Sequence, residues 1–334
     1  MKSVAVIGQG FVGGSLTTVL SERGLKVYTF DITGRQATGG THPKEKIVQS
    51  PVVMGPGPAL YWNEPIPAAT LTEFVQLCEA SSSFSGIFFV CLPTPMYEGG
   101  AADVSIVEET LKSLASIPSP ASLRRIAVIK STVPPGSTER WNSLFEFTKL
   151  RVVFNPEFLR EATALDDMRN QSRIILGGPR PYINKVKQLF EGAFPNVPVI
   201  KTSSTTAEMV KYVTNVHLAV KVALANEFYQ ICENLDAAGA NIDYDKVVEY
   251  ALHDQRLGSS HWKVPGPMPA DDSGDPAFGF GGSCFVKDIN ALMHVARKLG
   301  IDPKVMSGAW EKNLEVRPQR DWERLVGRAI SKKP

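Results

Sequence analysis

The stretch that most narrows what this chain can fold into is its first 31 residues. Ser3-Val4-Ala5-Val6-Ile7 is a short β-branched apolar run, as expected of a strand buried on both faces of a parallel sheet. It leads straight into Gly8-Gln9-Gly10-Phe11-Val12-Gly13-Gly14. A helical segment follows to about Glu22, and a second strand over Leu25–Phe30 ends at Asp31. A lone GxGxxG carries little weight. Strand, glycines, helix, strand and then an acid about 20 residues on form the whole dinucleotide fingerprint. Gly8, Gly10 and Gly13 let a pyrophosphate reach the N-terminus of the helix that Phe11 and Val12 open, and Asp31 is placed to hydrogen-bond a ribose diol. A carboxylate there disfavours a 2′-phosphate, so NAD is expected rather than NADP. Arg35 either packs on the adenine or accepts such a phosphate.

The alternation continues. Residues 36–70 are rich in Gly, Pro and polar residues and read as a loop with short elements over the cofactor domain. A helix near Leu71–Ala80 precedes a buried strand over Gly86–Leu92, which ends in Pro93-Thr94-Pro95. A helix near 103–116 and a strand over Ile126–Lys130 follow, and that strand runs into Ser131-Thr132-Val133-Pro134-Pro135-Gly136. Strands over Arg151–Phe154, Arg173–Leu176 and Val199–Ile200 complete the series. The fold class is therefore α/β, an N-terminal Rossmann-type doubly wound, largely parallel sheet. Ligands of such sheets bind outside the carboxyl ends of the strands, where Thr94 and Thr132 stand. In Asn155-Pro156-Glu157-Phe158-Leu159-Arg160-Glu161 the two glutamates are four apart, so a helical turn there puts both carboxylates on one face.

From Ser204 the strands stop, and the boundary is placed between residues 1–203 and 204–334. Thr205-Thr206-Ala207-Glu208 offers an N-cap with an acid three residues later. The helix it opens runs to about Leu235 without proline or glycine and carries Lys211 and Asn215 side by side, with His217 as a packing or surface residue. The second half is thus an α-helical domain with one long helix. Its chemistry centres on Cys284, in Phe278-Gly279-Phe280-Gly281-Gly282-Ser283-Cys284-Phe285-Val286-Lys287-Asp288. Glycines before the thiol let a ligand approach the main chain, and a thiol at a helix N-terminus beside Lys287 is biased toward thiolate. Asp288 lies one turn on, on roughly the same face.

Composition excludes several other classes. A net charge of +2 gives no footprint for nucleic acid or an anionic membrane, and no apolar run approaches the ~20 residues that span a bilayer. No signal peptide precedes the first strand. Cys78, Cys91, Cys232 and Cys284 form no CxxC pair and no metal-ligand spacing, which fits a reducing cytoplasm and no metal.

Taken together, GQGFVGGSL at 8–16, LPTP at 92–95, KSTVPPGST at 130–138, NPEFLRE at 155–161, AEMVKYVTN at 207–215 and FGFGGSCFVKD at 278–288 resemble the UDP-glucose/GDP-mannose dehydrogenase family, in its order and over about residues 1–320. GGSCF followed by KD is similar to the UDP-glucose and GDP-mannose branches. The resemblance implies a four-electron oxidation of a nucleotide sugar, UDP-glucose first, from primary alcohol to carboxylate with two NAD⁺. Cys284 traps the aldehyde as a thiohemiacetal, which is oxidised to a thioester and hydrolysed. It assigns Lys211 to alcohol deprotonation and, with Asn215, to oxyanion stabilisation; Asp288 to the water; and Glu157 to acid/base work, with Thr132 beside them. Glu161 falls on the cofactor side, as do Thr94 and Thr132. Phe158, Leu159, Phe280 and Gly281 fall to the sugar nucleotide with Lys211 and Asn215. Arg256 resembles the arginine that reaches a neighbouring subunit's substrate, and the long helix implies a homodimer. Val286 stands where a proline is frequent, and loop 259–277 is longer than in many relatives. The resemblance leaves the family's C-terminal Rossmann-like domain without an expected counterpart, and Trp322–Val326 is expected as a closing helix. A two-electron hydroxyacid-type dehydrogenase, which needs no cysteine, and a non-catalytic nucleotide-sugar binder remain as alternatives.

Overall fold

The computed structural model describes residues 2–33, 63–65, 70–120 and 122–332. In chain order the elements are β1 (Ser3–Ile7), α1 (Phe11–Glu22), β2 (Lys26–Phe30), β3 (Asn63–Pro65), α2 (Leu71–Ala80), β4 (Phe84–Val90), α3 (Ser105–Ser116), β5 (Arg125–Ile129) and α4 (Ser137–Leu144). After these come β6 (Leu150–Phe154), α5 (Ala164–Arg169), β7 (Ile174–Gly177), α6 (Arg180–Ala193), β8 (Val199–Thr202), α7 (Ser204–Ala237), α8 (Tyr244–Ala251), α9 (Cys284–Lys298) and α10 (Lys304–Val316). They divide into two compact units. One comprises Met1–Pro93 with Ser105–Lys211, the other Thr94–Val104 with Tyr212–Pro334.

The first unit is built on an 8-stranded sheet in the order β3-β2-β1-β4-β5-β6-β7-β8. The pairs are parallel except β6 with β7, which meet antiparallel at Phe154 and Gly177. β1 is wholly buried, as its unbroken apolar run requires. Strand order reverses between β1 and β4, the switch point at which doubly wound sheets bind ligands. The core packs Leu16, Val19 and Leu20 of α1, Val4 and Val6 of β1, and Phe190 and Phe194 around α6. Arg125 on β5 is buried yet fully engaged: its guanidinium forks onto Glu79 of α2 and donates to the carbonyls of Leu114 and Ile117. This ion pair fastens both helices to the sheet.

In the second unit, Tyr212, Val216, Ala219 and Ala223 of α7 pack with Val286 and Ile289 of α9, Ala309 of α10, and Trp322. Segment 94–104 belongs here because Met96 pairs with the tail. Met96 N–H donates to Ala329 (2.8 Å), Ser331 N–H to Met96 (2.8 Å), and Ser331 Oγ to Asp103 (2.6 Å). The expected boundary after residue 203 therefore differs in two places. The first turns of α7 go with the sheet, where the space at Gly177 admits Ser204 and Ala207.

Three local expectations are corrected. α7 begins at Ser204, and its cap is Ser203, whose Oγ accepts from Thr206 N–H at 3.2 Å, not Thr205. In place of a closing helix over Trp322–Val326 there is a single 3₁₀ turn, Asp321–Arg324, because the next residues turn back to pair with Met96. No helical turn spans Glu157 and Glu161: residues 155–160 are irregular, and a 3₁₀ turn starts only at Glu161. Most of the segment read as a loop over 36–70 lies outside the described residues, as does Arg35. Among the described residues no helix is long and apolar enough to cross a membrane.

Candidate active site

The glycine turn after β1 fits a dinucleotide on three counts. Gly8 has φ +89, and a Cβ there would stand 2.4 Å from the carbonyl oxygen of Cys91. At Gly13 a Cβ would stand 1.9 Å from the carbonyl oxygen of Gly8. The turn thus lies backbone on backbone against the end of β4, with no side chain able to yield. Gly10, the N-cap of α1, is different: φ is −69, and a Cβ there would meet nothing within 4 Å. Nothing among the described residues requires this glycine. No side chain caps the first turn of α1, so its amides at Phe11 and Val12 can receive an anion beside Gly10. Asp31 is held beside the turn, accepting from Gln9 N–H and Thr33 N–H, both at 2.8 Å. When bound there, NAD supplies the hydride acceptor.

A second group of side chains follows β5 and β6. Lys211 donates to the Glu157 carbonyl at 2.6 Å and to Glu157 Oε1 at 2.9 Å, and Leu159 N–H donates to Glu157 Oε2 at 2.7 Å. Lys211 and Glu157 are both buried. Burial pushes the Glu157 carboxyl up, but Lys211, the Leu159 amide and Lys130 more than offset this, so it rests below its ordinary value. Behind the pair, Lys130 donates to Asn155 Oδ1 (2.9 Å), and Asn155 donates to the Ile175 carbonyl (2.8 Å). Burial draws the Lys130 ammonium down to about 8 and pushes the Cys91 thiol up to about 12, each opposing the other's shift. The Phe158 ring has Arg173 at 4.3 Å on its face and Lys211 at 5.7 Å. Thr132 is buried at the end of β5, in the same unit. Thr94 is also buried but belongs to the second unit.

In the second unit the structure brings Asn215 and Asp288 together. Asn215 Nδ2 donates to Asp288 Oδ2 at 2.6 Å, and Lys287 donates to the other carboxylate oxygen at 2.5 Å. Asp288 is 1% exposed, so its charge is met entirely by protein partners. Cys284 is the first residue of α9, one turn before Asp288, half-buried and in no disulfide. No side chain caps α9, so its first amides stay directed at whatever lies beside the thiol. Lys211 and Asn215 both sit on α7, one turn apart on a helix without a break.

Other expected residues stand apart from these groups. Phe280 is buried against the rings of Phe285 and Trp310, and the glycine after it, Gly281, lies against Arg317. The Arg256 side chain is 89% exposed and forks onto Asp254 of its own turn. Glu161 is half-buried at the head of its 3₁₀ turn. Sequence reasoning missed Lys130 and Asn155, and it misplaced Glu208. Fully buried, Glu208 accepts from Gly136 N–H (2.6 Å) and Thr138 N–H (2.8 Å), capping α4 rather than its own helix. Burial raises its carboxyl to about 7. The one available signal was Gly136 just ahead of Ser137, a helix start with its own cap side chain missing.

The sequence model of the UDP-glucose/GDP-mannose dehydrogenase NAD binding domain matches residues 2–193, and that of the family's central domain matches 205–315. The chain belongs to the UDP-glucose/GDP-mannose dehydrogenase family. NAD is the cofactor of its N-terminal domain. UDP-glucose 6-dehydrogenase TuaD of Bacillus subtilis is 31% identical over 325 residues, which is 95% of this chain and 64% of TuaD. A GDP-mannose 6-dehydrogenase of Pseudomonas syringae pv. syringae is 27% identical over 319 residues, 93% of this chain and 67% of that protein. The solved structure of a UDP-glucose dehydrogenase from Pyrobaculum islandicum superposes with a TM-score of 0.69 at 25% identity, covering 94% of this chain and 68% of that one. The chain thus spans less than two thirds of TuaD.

Proposed function

We propose that this chain carries out the NAD-dependent oxidation of a nucleotide sugar at C6, from primary alcohol to carboxylate, with UDP-glucose as the first substrate to try. One alcohol, two NAD⁺ and one water give one carboxylate, two NADH and three protons. In this reading Lys211, its charge set against Glu157, assists loss of the alcohol proton, and Glu157 relays it. Cys284 Sγ adds to the aldehyde carbon, forming a C–S bond, and Lys211 and Asn215 stabilise the oxyanion. Loss of the second hydride from that carbon leaves a thioester. Water held by Asp288 attacks it, the C–S bond breaks, and the thiol is restored.

The observation that carries this reading is the Asn215–Asp288 hydrogen bond at 2.6 Å, one turn into the helix that Cys284 opens. A two-electron dehydrogenase has no use for a thiol backed by a buried carboxylate. Incubating the purified protein with NAD⁺ and a panel of UDP- and GDP-sugars tests the proposal. Two NADH per sugar with no free aldehyde are expected. One NADH per substrate would replace it with two-electron chemistry, and binding without turnover with an idle binder.

The same reading includes a homodimer in the cytoplasm. Val213, Leu224, Phe228, Ile231 and Leu235 of α7 are each 42–54% exposed, a run of large apolar side chains suited to a second copy. Arg256, exposed on its turn, is the residue assigned to the neighbour's substrate. A fully active monomer in sedimentation would remove both assignments.

A further inference from the structure

The backbone just ahead of Cys284 is held by side chains that no motif announces. Gly279 N–H donates to Asn226 Oδ1 at 3.1 Å. Phe280 is gripped on both sides by Asn313, its N–H donating to Oδ1 (2.7 Å) and its carbonyl accepting from Nδ2 (3.0 Å). Gly282 N–H donates to Asp321 Oδ2 at 2.8 Å. The other oxygen of Asp321 accepts from Arg317 Nε at 2.6 Å, and the same guanidinium reaches the carbonyls of Phe278 (3.0 Å) and Pro269 (2.6 Å). Asn313 and Arg317 are 0% exposed. Arg317 and Asp321 lie beyond both stretches matched by the family models, which end at residues 193 and 315.

Two features show that the loop is shaped for this grip. A Cβ at Gly279 would stand 2.4 Å from Asn313 Oδ1, and one at Gly281 would stand 2.5 Å from both Arg317 Nη2 and Asp321 Oδ1. The glycines leave room for polar side chains arriving from elsewhere in the unit. A buried arginine is costly to place unless its donors are met, and four of its five hydrogen bonds here go to the backbone carbonyls of Met268, Pro269 and Phe278. These bonds fix the backbone that leads into the first turn of α9, and the α9 amides act on the thiol only while that turn is formed.

We propose that Asn313, Arg317 and Asp321 are positioning residues for Cys284, fixing the entry into α9 so that the thiol stays at the helix N-terminus. This rests on the reading of Cys284 as the nucleophile, yet it can be tested without turnover. The rate of iodoacetamide alkylation is followed against pH by mass spectrometry of the Cys284 peptide, with Cys284→Ser as the blank. Asp321→Asn removes the anion that joins Arg317 to Gly282 N–H. Gly281→Ala leaves the charges in place and wedges a methyl group between loop and grip, so it serves if Asp321→Asn does not fold. Either variant is expected to move the alkylation midpoint upward by about one pH unit, toward the ~8.5 of an ordinary thiol. NAD⁺ affinity should stay within about twofold, since the glycine turn of the sheet is untouched. Where the wild type turns over, kcat of Asp321→Asn should fall by at least about tenfold with KM little changed. A variant that lowers the melting temperature but leaves the midpoint unmoved would overturn the proposal and make the grip a structural staple only. A wild type with no turnover but a shifted midpoint in the variants would overturn the proposed reaction and keep the positioning role.

Discussion

The glycine-rich turns that open α1 and α9 make room for different things. At Gly8 and Gly13 the space is taken by backbone, the carbonyls of Cys91 and of Gly8 itself. At Gly279 and Gly281 it is taken by the polar ends of Asn313, Arg317 and Asp321. Backbone on backbone can be met only by glycine and leaves a fixed pattern in a short stretch. A turn held by side chains depends on residues well downstream, and their spacing carries no pattern. The lesson is that the first turn is dictated locally and the second is dictated by the rest of its unit.

The sharpest separation between the turns comes from Cys284→Ser. It should cut steady-state oxidation by roughly three orders of magnitude or more while NAD⁺ titration stays unchanged, because the thiol does chemistry that the cofactor turn does not share. Equal loss of NAD⁺ binding would merge the two turns into one site of one kind. Next in size is Gly13→Ala. The methyl would fall 1.9 Å from a carbonyl oxygen that cannot rotate away, so a loss of about 3 kcal/mol in chemical denaturation is expected, with NAD⁺ binding gone.

Lys130, just past the end of β5, sharpens the comparison from the sheet. Its proton affinity is lower folded, about 8, than in the ordinary lysine range near 10.5. Between those values the unfolded chain holds the extra proton, so stability should rise with pH across that window, and below it the full burial cost remains. Lys130→Met should flatten that rise and add on the order of 2 kcal/mol at pH 7, read from denaturation curves at several pH values. A less stable variant at pH 7 would mean that the bond to Asn155 outweighs the cost of the buried charge. The smallest structural effect belongs to Gly10→Ala. With nothing among the described residues within 4 Å to meet the methyl, stability should change by under about 0.5 kcal/mol, yet NAD⁺ should bind at least about tenfold more weakly. Unchanged affinity would remove the argument that a ligand explains this glycine.

Legibility follows the same division. The strand-turn-helix-strand unit, Asp31 and the alternation to β8 could be read because buried parallel strands are unbroken apolar runs and glycine turns are compact. α7 reads as a long proline-free and glycine-free stretch, but its cap is Ser203 rather than Thr205, and Glu208 caps α4 instead of its own helix. Segment 94–104 could not be assigned to the second unit, since its partner Ala329 lies at the other end of the chain. Lys130 and Asn155 were passed over for a similar reason. A lysine at a strand end reads as solvated until burial shows that it is not. Motifs single out Lys211, Glu157, Asn215 and Asp288, but their pairing follows from the fold rather than from any one stretch.

The contact between Gly8 and Cys91 also has a consequence for synthesis. Everything usually quoted as the nucleotide motif, from Ser3 to Asp31, leaves the ribosome long before β4 exists. Yet the carbonyl that Gly8 rests on, and the Cys91 side chain under Gly13, arrive only at the end of that later strand. A nascent chain halted after Asp31 would carry the complete signature without the floor beneath it. The signature can be read in one stretch; what it signifies has to be assembled from two.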